Sequence, residues 1–227
     1  MEKNFEKGVA KYYEKFGIEF DQKWPFPVDS FNRLKYFIGI DWSGTGNDIE
    51  NQEGEIERPV FYAVRGSSRP HMACVKPSRQ QGRHPKYRDL DSIANVQNIM
   101  HNKELWYCAV DQLQLPEAEK INEDYLTKII TKLAKRVSEE RNLELSRIGI
   151  LLDGWFKNRE KIVDILKRKD KNISLQNIVS CEDGDRSIRV VNSADSVAYY
   201  LRNHYIETGE VLRPDRRVLV GGDLNLI

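Results

Sequence analysis

Two aspartates stand where a chain could do chemistry. Tyr36-Phe37-Ile38-Gly39-Ile40 leads into Asp41, and Ile148-Gly149-Ile150-Leu151-Leu152 leads into Asp153; small or flexible residues follow each acid. A short apolar run closed by turn residues predicts a buried strand. Both acids therefore fall at strand carboxyl ends, the place where open α/β sheets bind ligands. Paired carboxylates are hard oxygen donors suited to Mg2+ or Mn2+. Two such ions about 3.5–4 Å apart activate a water and stabilise the leaving oxygen of a phosphodiester. Asp41 and Asp153 are accordingly the candidate metal ligands and catalytic residues, against the plainer reading of two polar strand caps. Glu123 is a third catalytic candidate at a predicted helix start, where the macrodipole favours any acid. Glu117 and Glu119 are rivals to it in the same stretch.

The elements that must hold these acids follow from periodicity. Residues 3–16 and the approach to residue 35 read as a helical lead-in. Strands are predicted at 36–41, 59–64, 105–110 and 148–153. Between the last two, Leu126, Ile129, Ile130, Leu133, Ala134 and Val137 recur at helical spacing from Asp124 to Arg141. That helix is long enough for a parallel crossover. A further helix follows Asn158 to about Arg168. Ile173–Val179 and Ser187–Val191 read as strands around a turn at Glu182-Asp183-Gly184-Asp185, residues 195–206 fit helix or strand equally, and 218–220 closes as a strand. The order predicts an α/β domain around a mixed β-sheet flanked by helices.

Charge is distributed in blocks. The 227 residues carry 36 Lys and Arg against 35 Asp and Glu, so the net charge is +1. From Asp41 to Glu57 there are six acids and no cation; from Arg58 to Arg88 there are eight cations and no acid. The second block, with prolines that forbid a long helix, is the candidate nucleic-acid surface through Arg65, Arg69, Arg79, Arg83 and Arg88. Its plain alternative is a solvated loop. A hydrophobic content of 40% with a mean hydropathy of −0.63 suits a water-facing domain, and no 18-residue apolar run predicts a membrane span. The charged opening segment predicts no secretory signal. Cys74, Cys108 and Cys181, an odd number without CxxC spacing, predict reduced thiols and a cytoplasmic protein.

Four stretches, read together, resemble the PIWI domain of Argonaute and Piwi-like proteins, an RNase H-like fold. They are Phe37 to Asp41; Arg58-Pro59 through Gly66-Ser67; Arg147 through Asp153-Gly154; and Tyr199-Tyr200-Leu201-Arg202-Asn203-His204 followed by Thr208-Gly209 and Arg213-Pro214. The resemblance spans residues 36 to about 225 and divides the chain into a lead-in, 1–35, and a PIWI-like domain, 36–227. It implies metal-dependent cleavage of a guide-paired or single-stranded target. Asp41 and Asp153 would hold Mg2+ or Mn2+, and Glu123 would complete the shell. Leu152 stands where the family has arginine. Cys181 stands where it has lysine, which leaves Arg186 and Arg189 as the nearest cations. The family's fourth ligand is expected after Arg213-Pro214, beyond Ile227, and no MID domain is expected before residue 36, so the rest of a longer or split Argonaute-like protein is an expected partner. His204 matches a non-catalytic histidine.

Other readings compete. One is a guide- or target-binding module of the same fold with an incomplete site. Another is a NurA-like nuclease, which also places an Asp on its first strand and Asp-Gly on a later one. A third, from a different class, is an actin-like nucleotide phosphotransferase, suggested by Gly39-Ile40-Asp41 and Gly44-Thr45-Gly46. There Trp42-Ser43 interrupt the expected spacing. No Walker A, G-x-G-x-x-G, H-E-x-x-H or G-x-S-x-G motif is present.

Overall fold

The computed structural model describes residues 23–43, 59–75, 104–111, 123–154 and 156–212. A single-turn helix α1 (Ser30–Arg33) leads into strands β1 (Tyr36–Ser43), β2 (Pro59–Ser67) and β3 (Leu105–Asp111). Helix α2 (Glu123–Arg141) crosses to β4 (Ile148–Asp153), and α3 (Arg159–Lys167) leads to β5 (Ile178–Cys181). The short α4 (Gly184–Ser187) and the long α5 (Arg189–Thr208) follow.

The five strands form one mixed sheet in the order β3-β2-β1-β4-β5. β1 pairs antiparallel with β2, and β2 antiparallel with β3; β1 pairs parallel with β4, and β4 parallel with β5. This is the expected α/β architecture, a mixed sheet with helices on both faces.

Side-chain alternation divides the strands between two helical layers. Ile38, Ile40, Ile150 and Leu152 face α2 and α3, packing with Ile129, Ile130, Leu133, Ala134, Val137, Ile162 and Leu166, all fully buried. Phe37 and Leu151 face the other way, toward Ile188, Val190 and Val191. Further along α5, Ala194, Val197, Ala198 and Leu201 cover Phe61, Ala63, Tyr107 and Ala109. The segment before β1 joins this second layer: Phe26 and Leu34 are buried in it, and Arg33 donates to the Ser146 carbonyl and to Asn177 Oδ1 at 2.9 and 2.8 Å.

Two expectations are corrected. Ser187–Val191 is not a strand: α4 ends at Ser187 and α5 starts at Arg189. The β-branched run Ile188, Val190, Val191 favours a strand locally, but Val190, Ala194, Val197, Ala198 and Leu201 line one helical face that the sheet buries, and tertiary packing overrides propensity. The stretch 195–206, which fits either state by sequence, belongs to the same helix. β5 is also shorter than expected. A 3-10 turn at Leu175–Asn177 precedes it, because the buried Asn177 amide donates to the carbonyls of Ser146 and Ile148 and ties the chain beside β4. The predicted helix at 3–16, the strand at 218–220 and most of both charge blocks lie outside the described residues. Among the described residues no helix is long and apolar enough to cross a membrane, and all three cysteines are free thiols.

Candidate functional site

The parallel β1–β4 register ends at the pair Ile40↔Leu152. Asp41 and Asp153 are the next residues of adjacent strands, so their backbones lie about 5 Å apart, one strand spacing. Both occupy odd positions and so point to the α5 side of the sheet.

Gly39 determines how close α5 comes. A Cβ placed there would stand 2.4 Å from the carbonyl carbon of Val190 and from the Val191 nitrogen, so only glycine lets the helix backbone rest on β1. Beyond this contact, Asp41 lies two strand residues on, about 6.6 Å, and Asp195 lies four helix residues past Val191, about 6 Å. The matched steps bring a third carboxylate toward the first two, and Asp195 raises the proton affinity of both Asp41 and Asp153. Asp185, at the start of α4, acts on both in the same sense through its charge.

The electrostatics are those of acids held in a crowded, dry place. Asp41 is 5% exposed. Burial first, then the charges of Asp153 and Asp195, push its carboxyl well above the usual range, against the opposing hydrogen bond from the Trp42 amide. Asp153 is pushed up to about 6, chiefly by burial. Backbone amides engage both acids, and at Asp153 the Gly154 amide adds to that of Asp185. Trp42 N–H donates to Asp41 Oδ1 at 2.7 Å, and Asp185 N–H donates to Asp153 Oδ1 at 2.8 Å. The left-handed Gly154, φ 70°, turns the chain sharply after Asp153, and the Ser180 hydroxyl steadies that turn by donating to the Gly154 carbonyl and accepting from Phe156 N–H.

The residues suit a hard divalent ion in kind. The donors are carboxylate oxygens that repel one another and are wholly or partly withdrawn from water, and a cation would offset both penalties. In their present rotamers no three His, Cys, Asp or Glu side chains among the described residues are gathered closely enough to hold a metal. Asp41 and Asp153 would hold it as a pair, as one or two carboxylates plus water and substrate oxygens commonly do for Mg2+.

Asp195 is the acid that sequence reasoning missed. A further acid was expected only after Arg213-Pro214, whereas α5 brings one from inside the described fold. The usable signal was the apolar 3–4 spacing from Val190 to Leu201, which identifies a helix with Asp195 flanking its buried face.

No family model matches the chain, and no curated protein matches it. The chain is similar to 19 solved chains. One belongs to a PCNA:RNase HII complex from Archaeoglobus fulgidus: 15% identity over 75% of this chain and 73% of that one, TM-score 0.43. Another is a single-site mutant of Bst-RNase HIII: 18% identity over 83% of this chain, which spans 60% of that one, TM-score 0.45. A third is the ribonuclease H2 of Pyrococcus horikoshii OT3: 12% identity, 76% and 74% covered, TM-score 0.36.

The remaining candidates are dispersed. Glu123 is the first residue of α2. That helix begins at the Asp41 end of the sheet, since Tyr125 in its first turn influences Tyr62, the register partner of Trp42, but it lies under the opposite face. Arg186 is exposed on α4 and within 3.9 Å of Asp185, beside the carboxylates. Arg189 is half-buried at the start of α5. Arg65 pairs in register with Gly39, toward the other end of β1, and forms an ion pair with Glu104 at 3.6 Å. Arg69 is exposed just after β2. Arg79, Arg83 and Arg88 lie outside the described residues, as do Glu117 and Glu119.

Proposed function

We propose that the chain is a divalent-metal-dependent nuclease of PIWI-like type that hydrolyses a phosphodiester of a guide-paired or single-stranded nucleic acid. The observation that carries this reading is the adjacency of Asp41 and Asp153 on parallel strands, on one face, with Asp195 on α5 near enough to act on both through its charge. Mg2+ or Mn2+, when bound, supplies a water acidic enough to attack phosphorus and charge to stabilise the leaving oxygen.

The chain's own residues do the rest. The amides of Trp42 and Asp185 hold Oδ1 of Asp41 and Oδ1 of Asp153 and so orient both carboxylates for the ion. Asp195 adds negative charge from the helix side, and Glu123, at the start of α2 on the other face, is the candidate for a further acid at the Asp41 end of the sheet. Arg186 contacts substrate phosphate beside the acids. Arg69, Arg189 and the basic stretch with Arg79, Arg83 and Arg88 carry the phosphate backbone, while Arg65, engaged by Glu104, contributes less. If about six to eight cations engage duplex DNA, affinity falls with salt at a log–log slope of about −5 to −7. The expected setting is cytoplasmic, with the remainder of an Argonaute-like protein as partner.

A second reading, a binding module of the same fold that holds nucleic acid without cutting, is favoured by one observation: among the described residues, three donors are not gathered around a point. Labelled single strands and duplexes incubated with Mn2+ decide between the two. The nuclease reading predicts cleavage by the wild type and loss of several orders of magnitude in Asp41→Asn and Asp153→Asn, with nucleic-acid affinity nearly unchanged because phosphate contacts lie elsewhere. Tight binding without cleavage assigns the binding module. Undiminished cleavage by Asp153→Asn rejects the site.

A further inference from the structure

The first turn of α5 does more than approach β1. Asn192 follows Val191, the residue resting on Gly39, and is 8% exposed. Its Nδ2 donates to the Asp185 carbonyl at 2.8 Å, and the N–H of that same Asp185 donates to Asp153 Oδ1 at 2.8 Å. Gly184, just before, leaves little space for another arrangement: a Cβ there would stand 3.0 Å from Asp153 Oδ1 and 3.3 Å from Val191 Cγ1. One helical turn thus fixes β1 through Val191, fixes the α4 backbone through Asn192, and carries Asp195.

We propose that Asn192 is a positioning residue for the metal-binding carboxylate Asp153, acting through the Asp185 backbone, whose N–H and C=O lie in the two peptide groups either side of its Cα, an inference that rests on the metal-dependent reading above. Asp153 ends its strand and is followed by a left-handed glycine whose own amide also bonds the carboxylate, so the Asp185 amide is the contact that reaches it from another element. The Asp185 amide immobilises Oδ1 and presents the other oxygen in one direction. That amide stays in place because the Asp185 carbonyl is held from the far side by Asn192. Asn192 touches neither ion nor substrate. It lowers the ordering cost of metal binding by arranging the ligand beforehand, as outer partners of metal ligands commonly do.

The test uses the full chain with Mn2+ as the probe. Calorimetry measures Mn2+ affinity for the wild type, for Asn192→Leu, which keeps the volume and drops the donor, and for Asn192→Ser, a smaller change in case the leucine variant does not fold. Amide exchange at Asp185 is followed in the metal-free proteins. The expected result is an Mn2+ affinity weaker by about 10–100-fold, faster Asp185 exchange, and an unaltered near-UV spectrum from the surrounding core. Wild-type Mn2+ affinity in a folded variant overturns the proposal. If the wild type itself binds no Mn2+, the nuclease reading fails, and Asp185 exchange still tests the positioning: equal protection in wild type and variants rejects it.

Discussion

The two faces of one sheet are built on opposite plans. The face toward α2 and α3 is filled by large side chains, with Ile38, Ile40, Tyr62, Trp106, Ile129, Ile130 and Leu133 all at 0% exposure. The face toward α5 is rich in small residues: Gly39, Ala63, Ala109, Ala194 and Ala198. Small residues let the α5 backbone come within contact of β1, and that closeness brings the half-buried Asp195 toward the buried Asp41 and the half-buried Asp153. The first face supplies stability. The second gives some of it up, because burial and the nearby acids oppose the charged forms of Asp41 and Asp153. A mixed α/β sheet can thus carry a charged centre on one side when its core is secured on the other.

Substitutions that exchange the two plans should separate them. Leu133→Ala opens a cavity in the large-residue face and is expected to remove about 2–5 kcal/mol in urea titration, leaving Mn2+ affinity of the folded protein unchanged. Gly39→Ala drives a methyl into the Val190 backbone. It is expected to lower stability by roughly 1–3 kcal/mol and, unlike Leu133→Ala, to weaken Mn2+ binding by displacing Asp195 from Asp41. If both variants affect stability and metal alike, the contrast between the faces is lost.

Asp41→Asn carries the opposite sign. Removing a buried, repelled charge should stabilise the metal-free protein by roughly 0.5–2 kcal/mol at pH 7. The pH dependence of the wild type follows from the same cause. Asp41 and Asp153 have folded pKa values above the ordinary 3.8, about 6 for Asp153. The stability they contribute is therefore fully present below pH 3.8 and is lost as pH rises through the folded values. Metal-free protein should melt at higher temperature near pH 5 than near pH 7, and Asn substitution at either acid should flatten this dependence. A melting temperature that falls on acidification across that window in the wild type, with no effect of the substitutions, contradicts it. The smallest effect belongs to Lys161→Ala, which removes the half-exposed pair with Asp124 between α3 and α2; at most about 1 kcal/mol is expected, measured in the same titration.

Legibility in the sequence followed the same division. The strands ending at Asp41 and Asp153 and the helix from 124 to 141 could be read because their apolar periodicity is strong and their packing is local in pattern. The α5 face could not. Ile188, Val190 and Val191 favour a strand by themselves and mask the apolar 3–4 spacing that continues to Leu201; with that helix unread, Asp195 had no place to be a ligand. Asn192 and Asp185 were invisible for a related reason, since their role runs through backbone groups that residue types do not disclose. The cations divided by partner: nothing in the order of residues distinguishes Arg65, engaged by Glu104, from Arg69, which is exposed.

The central claim is that the buried acids on the α5 face form a divalent-ion site. It is tested most directly by the melting temperature of the full chain near pH 7 with and without Mn2+, for the wild type, Asp41→Asn and Asp153→Asn. The account predicts a clear, saturable rise in the wild type that is abolished in both variants, although the metal-free Asp41→Asn protein starts from a higher melting temperature than the wild type. No Mn2+-dependent rise in the wild type, or an equal rise in all three proteins, would contradict it.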